Sequence, residues 1–78
     1  MSQAVDPAGP EASESLVRMA NQIAANLDRA PHDAAVERLA AHLRDFWAPS
    51  MREELIEYVD AGGAGLTRMA IEALDRLR

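Results

Sequence analysis

Apolar side chains recur along this 78-residue chain at helical rather than strand spacing. Leu16, Ala20, Ile23 and Leu27 stand four, three and four residues apart, which draws one stripe of an α-helix, with Arg18, Gln22 and Arg29 on the far side. The stripe predicts a first helix from Ser13 or Ser15 to near Arg29, closed by Ala30-Pro31 because the residue before a proline is pushed out of the α region. Pro31 can open a second helix, with Asp33 complementing the positive end of the dipole. There Val36, Leu39, Ala40, Leu43, Phe46 and Trp47 fall within an arc of about 120°, opposite Glu37, Arg38, Arg44 and Asp45.

Pro49 forces another break and predicts a third helix from Met51 to about Ala61. Leu55, Ile56 and Val59 face inward, and Glu53, Glu57 and Asp60 outward. Gly62-Gly63 supplies a left-handed helix end that most residues resist. A fourth helix follows, with Thr67 as N-cap, Leu66 placed to staple to Ile71, and Ala70, Leu74 and Leu77 inward. Nothing alternates with period two. The chain therefore reads as an all-α bundle of four short helices over residues 13–78, preceded over residues 1–12 by a Pro/Gly-containing segment expected to be a disordered tail.

Composition narrows what such a bundle can do. Sixteen of the apolar residues are alanine, so the core rests on about twenty larger side chains and has the marginal stability usual at this size. The absence of cysteine excludes disulfides, thiolate zinc sites and cysteine-ligated iron–sulfur clusters in this chain. Thirteen acids against eight arginines give a net charge of −5, which argues against nucleic acid as the primary partner. No apolar run is long enough to span a membrane, and the N-terminus has neither the basic nor the apolar part of a secretion signal, so a soluble cytoplasmic protein is expected.

Few residues invite chemistry. His32 and His42 belong to no His-Glu-x-x-His pattern and read as boundary histidines with local hydrogen bonds. Gly62-Gly63-Ala64-Gly65 follows a helix rather than a strand and lacks a Walker lysine, so it reads as a helix cap and tight turn. The acidic face of Glu53, Glu54, Glu57 and Asp60 reads as a solvated surface rather than a cation site. Arg52 falls inside the arc of Leu55, Ile56 and Val59, near the positive end of its own helix. Either its stem packs while its fork pairs with an acid of this chain, or the fork makes a bidentate contact to a partner. Phe46-Trp47 admits a core anchor or an interface hot spot. Asn21, on the flank of the first helix, reads as an interhelix hydrogen-bonding group.

Taken in order, Arg18-Met19-Ala20-Asn21-Gln22-Ile23-Ala24, Pro31-His32-Asp33, Phe46-Trp47-Ala48-Pro49 with Met51-Arg52, and Gly62-Gly63-Ala64-Gly65-Leu66 resemble one family. It is the delta subunit of NAD-dependent, molybdenum-containing formate dehydrogenases. The resemblance spans about Leu16 to Leu66 and weakens through the last helix; Ser50 departs from the basic residue expected after the proline.

The resemblance implies a non-catalytic, cofactor-free accessory subunit of a soluble bacterial complex. There a large subunit carries a molybdenum bis-guanine-dinucleotide centre and iron–sulfur clusters, while diaphorase subunits carry FMN and reduce NAD. Carried over residue by residue, it places contacts to the large subunit at Arg18, Asn21 and Gln22, at Phe46, Trp47, Pro49, Met51 and Arg52, and at Gly62, Gly63, Gly65 and Leu66. Two rival readings stand beside it: a cofactor-insertion chaperone for the molybdenum subunit, and an unrelated homodimeric helical regulator.

Overall fold

The computed structural model describes residues 10–27 and 29–78, the first three of them by backbone alone. Four helices follow one another: α1 (Pro10–Asn26), α2 (His32–Phe46), α3 (Pro49–Asp60) and α4 (Arg68–Asp75). α1 begins before Ser13, at Pro10, a residue that loses nothing in a first turn where its missing N–H has no partner anyway. Of the tail expected over 1–12, residues 1–9 lie outside the described residues. α1 ends at Asn26 rather than near Arg29, and the chain leaves it through turns in which Leu27 N donates to Ala24 O at 3.0 Å and Ala30 N to Leu27 O at 3.1 Å. Pro31 caps α2 instead of opening it, and its carbonyl accepts the Ala35 amide at 2.8 Å.

The predicted stripes meet in a single core. Val36, Leu39, Leu43, Leu55 and Leu74 are its fully buried large side chains. Leu16, Val17, Ala20, Ala24, Ala40, Ala70, Ala73 and Trp47 complete it, with Ile23, Leu27, Met51, Ile56, Val59 and Leu77 among the residues packed at the margin. The most extensive helix pairing is α2 with α4. His32 reaches Glu72 and Glu37 reaches Arg76, so the two helices advance in the same sense. α3 therefore has to carry the chain back between them.

Phe46 departs from its expected place. It is 75% exposed, whereas Trp47 is buried at 7%. Adjacent helical residues diverge by about 100°, so both rings cannot face one core. Trp47 lies about 20° from Val36 around the α2 wheel and Phe46 about 80° from it, and the central position is the one that is buried. Phe46 rests instead on His42, ring centroids 4.9 Å apart.

The segment between α3 and α4 is shaped by its glycines. Gly62 N donates to Val59 O at 3.0 Å and Gly63 N to Tyr58 O at 2.8 Å. These paired bonds close a Schellman end, which needs the positive φ of 91° that Gly62 adopts. Gly63 is required for space rather than for backbone angle: a Cβ there would stand 2.5 Å from the Tyr58 ring. That ring folds over the turn, and its hydroxyl donates to Ala64 O at 2.7 Å. Gly63→Ala is expected to cost about 1–3 kcal/mol by forcing the ring aside. In the Tyr58→Leu background the same change should cost less, a coupling that a double-mutant cycle in urea would measure.

Thr67 caps α4 as expected, its Oγ1 accepting the Ala70 amide at 3.3 Å. Leu66 packs on the core, and Ile71 stays exposed.

Candidate functional site

The residues singled out in the sequence occupy three places. The first is the corner between α2 and α3. Arg52 Nη1 donates to Trp47 O at 2.7 Å, Arg44 O at 3.1 Å and Leu43 O at 3.2 Å. The fork thus meets the last carbonyls of α2 and, among the described residues, no acid, which corrects the first of its two readings, pairing with an acid of this chain. A cation at the negative end of α2 is favourable, and this resolves its unfavourable place in the first turn of its own helix. Trp47 fills the core beneath, Met51 packs at the margin, and Pro49 and Phe46 face solvent.

The second place is the glycine turn. The Asn21 side chain reaches it from α1 across a wide sequence separation: Nδ2 donates to Gly65 O at 2.8 Å, and Oδ1 accepts the Thr67 amide at 3.0 Å. A single amide so satisfies both a donor and an acceptor of irregular backbone, which has no ladder of its own to join. Gly65, at φ 106°, lies close enough that an added Cβ would meet Val17 at 3.5 Å. Asn21 is thus a hydrogen-bonding group within the bundle, but it ties α1 to the turn before α4 rather than to another helix.

The third place is the outer side of α1, where Arg18, Met19, Gln22 and Ile23 line an open groove of about 430 Å³. Met19 is 44% exposed. Arg18 Nη2 donates to Ser15 Oγ at 3.3 Å within the same helix and, among the described residues, meets no carboxylate.

Ionic contacts tie the bundle elsewhere, and several use residues to which the sequence drew little attention. His32 Nε2 donates to Glu72 Oε1 at 2.8 Å and Arg68 Nε to Glu72 Oε2 at 2.9 Å. Arg78 holds Asp60 at 2.7 Å and Asp75 at 3.0 Å, and Arg76 pairs with Glu37. Ser13, buried, donates to Glu54 at 3.3 Å. The His32 and Arg68 hydrogen bonds hold the Glu72 carboxyl below its ordinary value, and the Arg78 hydrogen bond does the same for Asp60.

A depressed carboxyl in the fold stabilises above the unfolded pKa, and that stabilisation disappears as the pH falls through the folded one. Thermal unfolding followed from neutral pH to below the usual carboxylate range should therefore show a falling midpoint, with a shallower fall in Glu72→Gln and Asp60→Asn. Both groups are exposed, so each effect is small.

Among the described residues, no three His, Asp or Glu side chains converge as a metal site. With no cysteine either, the chain cannot hold a cysteine-ligated iron–sulfur cluster. No described helix is long and apolar enough to cross a membrane.

The pattern of these residues agrees with the model of one protein family, described as the NADH-dependent formate dehydrogenase delta subunit, over residues 15–74. The chain belongs to the formate dehydrogenase delta subunit family. The family match runs into α4, to residue 74, beyond the Leu66 limit of the resemblance seen in the sequence. All three places on this delta subunit, the α2–α3 corner, the pinned glycine turn and the α1 groove, lie within it. No curated protein and no solved structure matches the chain.

Proposed function

We propose that this delta subunit is a non-catalytic accessory subunit of a cytoplasmic NAD-dependent formate dehydrogenase, binding its molybdenum-containing large subunit and supporting assembly or stability of the complex. The observation that carries the reading is how the polar groups of the family segments are used. Asn21 and Arg52 are spent on backbone groups of this chain. What the same segments leave outward is contact surface: Arg18, Met19, Gln22, Phe46 and Pro49. A fold that turns Asn21 and Arg52 to its own backbone and leaves a mixed surface of apolar and polar side chains outward is suited to docking.

The test is deletion of the gene in a host that makes the enzyme. The large and diaphorase subunits should then copurify in lower yield, or with less molybdenum cofactor, and the full chain should restore them. Unchanged yield, cofactor content and formate-dependent NAD reduction in the deletion would overturn the proposal.

A further inference from the structure

We draw no further inference here: the strongest candidate, the groove between the start of α1 and α3 lined by Ser13, Ser50, Glu53, Glu54, Glu57 and Tyr58, is a cluster of acidic side chains, and nothing in the structure shows what covers it.

Discussion

Replacing Trp47 with alanine should destabilise the bundle by about 3–5 kcal/mol, the range for emptying a buried large aromatic site, and at this chain length that approaches the whole stability. Replacing Phe46, its immediate neighbour, should change stability by no more than about 0.5 kcal/mol. The contrast follows from burial alone, 7% against 75% exposed. Chemical denaturation followed by far-UV circular dichroism reads both. The Phe46 variant isolates any contribution of that ring to complex formation, because the fold around it is intact. Equal losses from the two substitutions would show that the Phe46–His42 contact is part of the core.

Arg52→Met should cost about 1.5–3 kcal/mol, the range for hydrogen bonds to a charged group. Methionine keeps an apolar stem of similar length and removes only the guanidinium that gathers Leu43, Arg44 and Trp47 carbonyls. The loss should be concentrated at one end of one helix. Amide exchange should accelerate first for the last turn of α2, where Trp47 N donates to Leu43 O at 3.1 Å. A uniform acceleration throughout the bundle would mean that Arg52 supports the core as a whole rather than the α2 end.

The four helices were legible because each carries its apolar residues at a period the backbone cannot disguise, and because Pro31, Pro49 and Gly62 punctuate them. Boundaries moved by a few residues at Pro10 and Asn26, where the last or first turn is held by local bonds that periodicity does not report. Trp47 and Phe46 could not be separated by the stripe, since both fit its arc. The partner of Arg52 was missed for a physical reason: backbone carbonyls at a helix end are acceptors that no side-chain pattern records. Tyr58 was overlooked entirely, although its position four residues before Gly62 is where a side chain can lie over a Schellman end. Asn21 was legible as a bridging group, but what it bridges to depends on a turn forty-four residues away.

The parallel run of α2 and α4 bears on how the chain folds. Helices joined by short loops usually pair with their neighbours in sequence, and such local pairs form early. Here the Val36–Leu43 stripe finds its largest partner only when Ala70, Ala73 and Leu74 have arrived, after α3 has crossed back. Until then the face that carries Val36, Leu39 and Leu43 lacks that contact. Delaying closure to distant contacts slows folding, and it leaves α2 without its most extensive partner until α4 has been made. A nascent chain lacking only α4 should thus behave as a fluctuating, aggregation-prone species rather than as three-quarters of a fold.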